Sequence, residues 1–304
     1  MERHTLTGRA STARGVTAPS SPCFLVLALG LVGCGPFAPP RAPVAEPPAE
    51  AWRVVTYNIH HGAGLDDRVD LVRIAAVLGR LDPDVVALQE VDRGVVRSGG
   101  EDQARRLGEL LGMRHAFGAF MDYQGGQYGM AILSRCPIRK TNPVRLPEGN
   151  EPRIALAVEL ERPGGGAMTV IGVHFDWVGD DAFRFAQARE VARMLDTLST
   201  PHILAGDFND QPGSRTLGLF QERATEAIKP DGRTFTFSAD DPRREIDFIF
   251  VSRAHGWAIV DVEVVAERVA SDHMPVVAEL LLRRGARATA TDRGEPLARA
   301  ARCG

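Results

Sequence analysis

Lysine is almost missing from this chain: Lys140 and Lys229 are the only two among 304 residues. Arginine supplies the remaining positive charge, and it does not balance the acids. Residues 51–283 hold 27 basic and 34 acidic side chains, a net charge of −7, which the flanks bring back to −3 for the whole chain. A protein whose main work is gripping a long polyanion needs Lys and Arg to neutralise phosphates. The balance argues against that class, while leaving local basic patches open. Cysteine is also scarce, with four in all. No CxxC or Cys/His spacing suggests a zinc site. Cys136 and Cys303 are the only candidates for a disulfide in the folded part. Cys303 lies in a tail with little to hold it, so the pair is expected to stay open. A long apolar run is missing too: Cys23 to Val32 is too short to cross a bilayer as a helix.

That short run sits where an export signal would. A basic, Ser/Thr-rich start (Arg3, Arg9, Arg14) precedes it, and it ends in Leu31-Val32-Gly33-Cys34. The pattern is that of a secretory signal peptide. Its end resembles the lipobox of bacterial lipoproteins, which implies lipidation of Cys34 and a signal spanning 1–34. Acyl chains on one residue anchor stably, since each buried methylene contributes about 0.8 kcal/mol. Gly35 after the cysteine would, by the same resemblance, allow outer-membrane sorting. Residues 35–51 are Pro/Ala-rich and read as an extended spacer. Residues 283–304 are rich in Arg, Ala and Gly without apolar periodicity and read as a disordered basic tail. The expectation is an exported protein tethered to a membrane of the cell envelope.

Between the flanks, residues 52–282 read as one domain with 44% apolar residues overall to build its core. Apolar runs predict strands at 52–58, 84–90, 114–119, 128–134, 153–160, 168–174, 202–206, 246–252, 258–265 and 275–282. Apolar stripes at helical spacing predict helices near 69–81, 101–111 and 181–198. About ten strands with few helices imply an α/β architecture of two packed sheets flanked by helices.

Polar side chains collect at the ends of these runs. Thr56-Tyr57-Asn58-Ile59-His60-His61-Gly62 closes the first strand, and Leu88-Gln89-Glu90-Val91 the second. His174 closes 168–174, Gly206-Asp207-Phe208-Asn209 closes 202–206, and Asp247 stands at the head of 246–252. Ser271-Asp272-His273-Met274-Pro275 opens the last strand. Any one tract alone is a turn or a cap. Together and in this order they resemble the endonuclease/exonuclease/phosphatase family of metal-dependent phosphoesterases, which includes DNase I-like nucleases, bacterial sphingomyelinases and inositol-phosphate phosphatases. Tyr128–Arg135 and Glu151-Pro152-Arg153 extend the resemblance over roughly 52–281.

The resemblance implies a DNase I-like four-layer sandwich, in which two mixed β-sheets pack together between helices. It also implies roles. Glu90, with Asn58 and Asp272, would hold the metal. Oxygen donors without thiolates favour Mg²⁺ or Mn²⁺ over Zn²⁺. Asp207 and Asn209 would orient and activate a water, and His273, held by Asp247, would contact the phosphate. His174 would bind phosphate or assist the leaving group. Arg153, His61 and Asp176 are expected near the phosphate or the substrate mouth, and Trp177 near the pocket wall. Met130 stands where relatives with this tract often carry Asn.

The expected function is hydrolysis of a phosphodiester or phosphomonoester by a metal-assisted water, carried out by a monomer. A nuclease, a sphingomyelinase-like phospholipase and a catalytically silent surface binding module are the alternatives. Scarce Lys weakens the first of these. The filled acid, amide and imidazole positions weaken the last.

Overall fold

The computed structural model describes residues 49–283 and 303. Cys34, the signal segment and most of the Pro/Ala spacer lie outside the described residues, as does all of the basic tail except Arg283 and Cys303. Among the described residues, no helix is long and apolar enough to cross a membrane.

The first strand, β1 (Glu50–Asn58), begins inside the segment read as spacer. It is joined through α1 (Leu71–Leu81) to β2 (Val85–Arg93), its parallel neighbour. Helix α1 forms because Leu71, Ile74, Ala75 and Leu78 share one buried stripe, and Asp70 caps its start by accepting from Arg73 N. Next come α2 (Gln103–Leu111), β3 (Arg114–Tyr123) and β4 (Gly126–Ser134). The second half repeats the device. After β5 (Ile138–Arg145) and β6 (Ile154–Glu161), the strand β7 (Ala167–His174) crosses through α3 (Ala182–Thr197) to β8 (His202–Asp207), again in parallel. The chain continues through α4 (Arg215–Gln221), β9 (Ala224–Glu226), β10 (Asp247–Ser252), β11 (Trp257–Val264) and β12 (Val276–Leu282).

Two six-stranded mixed sheets result, in the orders β11-β12-β1-β2-β4-β3 and β5-β6-β7-β8-β10-β9. Their facing sides share one dry core that includes Val54, Val85, Met130, Ile132, Leu156, Val170, Ile203 and Ile249. The outer face of the first sheet packs on α1 and α2, and that of the second on α3 and α4. This is the expected four-layer sandwich. Met130 is wholly buried between the sheets and meets Gly172, where an added Cβ would stand 3.0 Å from the Met130 Cε. An apolar contact therefore fills the place where the sequence left hydrogen bonding open.

Twelve strands are present among the described residues, rather than about ten, and α4 is additional. Strand β5 carries no apolar run. It is an edge strand, mostly exposed and containing Pro143. The short β9 and α4 are too brief for periodicity to register. One expectation is overturned: Cys136 and Cys303 form a disulfide, with Cα atoms 5.0 Å apart. Cys136 is buried in the inter-sheet core, and Cys303 packs against the same cluster. The core, rather than any pattern in the tail, fixes the place of Cys303.

The topology decides where chemistry can gather. In each sheet a central parallel pair ends in the same direction, so Asn58, His174 and Asp207 stand at the tips of β1, β7 and β8, with Glu90 near the end of β2. The neighbours β10 and β12 run antiparallel to these pairs, and Asp247 lies directly opposite Asp207. Their chemical residues must therefore precede or begin the strand, as Asp247, Asp272 and His273 do. Ligand sites in open α/β sheets form at that carboxyl end.

Candidate active site

Two backbone departures aim the first sheet's residues. Strand β2 bulges between Leu88 and Val91, where it leaves register with β4, and Glu90 there adopts φ +58°. The bulge turns the Glu90 side chain out of the strand's alternation and into the cleft. Asn58 is wholly buried at the tip of β1. Its Nδ2 donates to Glu90 Oε1 at 3.0 Å and to Asp207 Oδ2 at 3.3 Å, and lies 3.4 Å from His273 Nε2. One amide thus ties the two sheets together across the site. Its oxygen instead accepts from His60 N at 3.1 Å. In this orientation the amide oxygen faces the loop, and Glu90 and Asp272 supply oxygen donors that line the cleft.

Asp207 is the centre of the cluster. Its Oδ1 accepts from Asn209 N at 2.8 Å. Its Oδ2 faces His174 Nε2 at 3.5 Å and His273 Nε2 at 3.7 Å. The two imidazoles, distant in sequence, thus meet over one carboxylate. Burial, with repulsion from Asp247, raises the Asp207 carboxyl above the usual carboxylate range. Asn209, at φ +50°, donates from Nδ2 to Phe175 O at 3.0 Å, which holds its amide at the cleft edge.

His273 Nδ1 donates to Asp247 Oδ2 at 2.9 Å. Burial opposes charging the ring, but Asp247, then Asp207 and Asp272, outweigh it and lift the pKa to about 10. His273 is therefore a cation at neutral pH, with Nε2 on the Asp207 side of the ring, in the cleft. Burial works to raise the Glu90 carboxyl, and the facing imidazoles and the Asn58 amide overcome it, leaving it ionised with a pKa of about 2.

These groups line a cleft of ≈ 290 Å³. Glu90, His174, Asp207, Asn209, Asp272, His273 and Arg153 all face it. Arg153 is only 2% exposed, so it is no surface ion pair. Its Nη2 meets Glu151 Oε2 at 2.9 Å and its guanidinium lies over the Phe120 ring, while Nε and Nη1 are buried without a partner. Two unused N–H donors on a buried cation at a cleft wall suit a phosphate oxygen.

Two expected residues stand elsewhere. Asp176 is wholly buried off the cleft, and it organises a loop by accepting from the backbone N–H groups of Asn150 and Val178 at 2.6 and 3.1 Å. His61 does not line the cleft either; it sits behind Glu90 beside His60. Burial and the nearby Arg97 push its ring down to about 4, so it is neutral. Conversely, Tyr128, Phe237 and Arg244 line the cleft without having been read as site residues, and Trp177 stands at its rim, 57% exposed. Phe237 and Arg244 lie in a segment with no regular pattern, which bridges to His273; nothing in the sequence places them at the site.

The geometry can be set beside known proteins. A model of the Endonuclease/Exonuclease/phosphatase family matches residues 55–273, from β1 to His273 itself. The chain belongs to that family. As a member of the Endonuclease/Exonuclease/phosphatase family it is a hydrolase of phosphoester bonds, of a kind generally dependent on a divalent metal. The chain is 29% identical over 248 residues to the protein YbhP of Escherichia coli (strain K12), covering 76% of this chain and 97% of that one. An endonuclease/exonuclease/phosphatase from Beutenbergia cavernae DSM 12333 superposes with a TM-score of 0.64 at 28% identity, over 77% of this chain and 72% of that one. The mannosyl-6-phosphatase Bt3783 of Bacteroides thetaiotaomicron VPI-5482 gives 0.62 at 20% identity, over 75% and 99%, a likeness of fold.

The residues fit a divalent metal. Glu90 is ionised, Asp272 lines the same cleft, and among the described residues no cysteine lines it. Hard oxygen donors in a polar cleft suit a hard cation.

Proposed function

We propose that this protein is an exported, lipid-anchored phosphoesterase that hydrolyses a small phosphodiester or phosphomonoester with Mg²⁺ or Mn²⁺. The observation that carries the reading is the meeting of His174, His273 and Asn58 on Asp207 Oδ2, in a cleft that also holds Glu90 and Asp272. Glu90 and Asp272 would hold the ion. When bound, it would polarise a phosphoryl oxygen and offset charge on the departing oxygen.

The chain's own groups do the rest. Arg153 and the His273 cation grip the phosphate, and Asp247 keeps that ring charged and in one orientation. Asp207 accepts the proton of the attacking water, and its raised pKa makes it a better base than an ordinary carboxylate. Asn209 holds the water's line of approach. His174, on the other side of Asp207, serves the leaving oxygen. The confined cleft and its excess of carboxylates over guanidinium groups favour a compact substrate over a long nucleic acid, as scarce Lys does. Trp177 and Phe237 would face the organic part of such an ester.

Chelation with EDTA followed by dialysis is expected to cut hydrolysis of bis-p-nitrophenyl phosphate to about 1% or less, with recovery on adding Mg²⁺ or Mn²⁺. Activity that survives chelation would remove the metal from the reaction. Screening DNA, RNA, sphingomyelin, phosphatidylinositol and inositol phosphates then separates the nuclease and phospholipase alternatives from a small-ester enzyme.

Export is supported by the signal-like leader and by the Cys136–Cys303 disulfide, since disulfides persist in oxidising compartments. Labelled fatty acid should enter the wild-type chain, and Cys34→Ser should abolish labelling and release the protein from membranes. Labelling that persists in the variant would sink the anchor. Gel filtration at the monomer mass is expected.

A further inference from the structure

Behind Glu90, away from the phosphate-gripping wall, lies a second group of metal-ligating side chains. One ring nitrogen each from His60 and His61 and one oxygen of Glu90 lie within 4.8 Å of one another. The rings meet edge to face with centroids 4.5 Å apart. The Nδ1 atoms of both are buried and have no hydrogen-bond partner. Leaving a buried polar atom unpaired costs about 1–3 kcal/mol, and here it happens on two adjacent imidazoles.

The backbone invests in the same arrangement. His60, His61 and Glu90 stand at φ +45°, +47° and +58°, in the left-handed region that non-glycine residues avoid. Such strain persists only where the surroundings impose it. They do so here. Gln103 Nε2 donates to His61 O at 2.7 Å, Ala63 N to His60 O at 2.8 Å, and Ile59 N to Gln89 O at 3.2 Å. Gly62, at φ +79°, packs so closely that a Cβ would stand 2.9 Å from Leu71 Cδ2. The loop is therefore locked with both rings on the Glu90 side. The nearby Arg97 is engaged by Asp92 through two bonds of 2.9 Å, which limits its repulsion of a cation.

We propose that His60, His61 and Glu90 form a distinct site for a divalent transition ion, Zn²⁺ by preference. Two imidazoles and a carboxylate suit a borderline-soft ion, whereas Mg²⁺ rarely takes imidazole. Atoms sharing a tetrahedral Zn²⁺ at about 2.0–2.1 Å stand about 3.3 Å apart, so side-chain rotation has to close the group from separations that are all within 4.8 Å. Glu90 is common to this site and the catalytic cleft, so the occupant would sit beside the reaction without touching the phosphate grip. The proposal does not depend on the hydrolytic reading, and its test reads metal rather than turnover.

The full chain, stripped with chelator, is titrated with Co²⁺ and, in competition, with Zn²⁺. The expected result is one tightly bound ion with the intense visible absorption of a low-coordinate, imidazole-bound Co²⁺, displaced by Zn²⁺. His60→Asn and His61→Asn should each weaken binding about tenfold or more and bleach the band, with the far-ultraviolet circular dichroism unchanged. Asp272→Asn, which removes a cleft carboxylate outside the His60, His61 and Glu90 group, should keep both. A band that survives the histidine changes, or that disappears with Asp272→Asn alone, overturns the proposal. Should the histidine variants misfold, wild-type crystals soaked in Zn²⁺ decide it. An anomalous peak bonded to the His60 and His61 rings supports the site, and a peak elsewhere or none refutes it.

Discussion

Glu90→Ala is expected to lower kcat/KM for any phosphoester the protein hydrolyses by about 10³-fold or more, while leaving the fold intact. The carboxylate is the one ionised acid of the first sheet that the β2 bulge aims into the cleft, and Asn58 and the facing imidazoles keep it ionised. No other side chain takes its place, because Asp92, the next acid along the strand, is buried and engaged by Arg97. Stability should fall little. Loss of one acceptor leaves Asn58 Nδ2 with Asp207 Oδ2, a cost of about 1 kcal/mol. The measurement is a Michaelis–Menten comparison on p-nitrophenyl esters beside urea unfolding. Glu90→Ala retaining more than about a tenth of the activity would place the essential carboxylate elsewhere. Full loss of activity together with loss of the cooperative unfolding transition would instead make Glu90 structural.

The tracts that carry this site were legible because the fold gives each a regular address. Apolar runs reveal buried strands, and a polar residue at a run's end reveals which end matters. Asn58, His174 and Asp207 close their strands and Glu90 sits at the bulge near the end of its own, while Asp247 and His273 stand at the head of theirs, as parallel and antiparallel neighbours require. The unread parts had no such address. Phe237 and Arg244 belong to an irregular segment, so no period marks them. Strand β5 is an exposed edge, where burial writes no alternation. Asp176 looked like a site residue because it follows His174, but a chain leaving a strand tip turns. Two residues on, its carboxylate faces the backbone of a neighbouring loop. Cys303 pairs through a contact across 167 positions that local composition cannot encode. The orientation of the Asn58 amide is likewise a property of its four polar neighbours rather than of its own tract.

Asp207→Asn should separate activity from stability in opposite directions. The substitution keeps the shape and removes the carboxylate acceptor at the centre of the cluster, so kcat is expected to fall about 10²- to 10⁴-fold. Stability, measured in chelator, should hold or rise. The sign follows from the carboxyl itself: burial and Asp247 raise its pKa in the folded state. The fold thus binds the proton more tightly than the unfolded chain does, and ionising Asp207 near neutral pH costs folding free energy. A neutral amide escapes that cost. Its single oxygen can serve Asn209 N or Asn58 Nδ2 but not both, which offsets part of the gain, and His273 retains Asp247 as its counter-charge. The same reasoning says that stability is lost, not gained, on replacing Asp247, whose carboxylate pairs with the buried His273 cation. Asp247→Asn should therefore lower both activity and the unfolding midpoint. Two carboxylates, Asp207 and Asp247, face each other in register across β8 and β10, and they are predicted to differ in kind: one is kept for the ring it holds, the other at a cost to the fold for the proton it takes. If Asp207→Asn were as unstable as Asp247→Asn, both would be counter-ions of the imidazoles, and the base would have to be sought at His174.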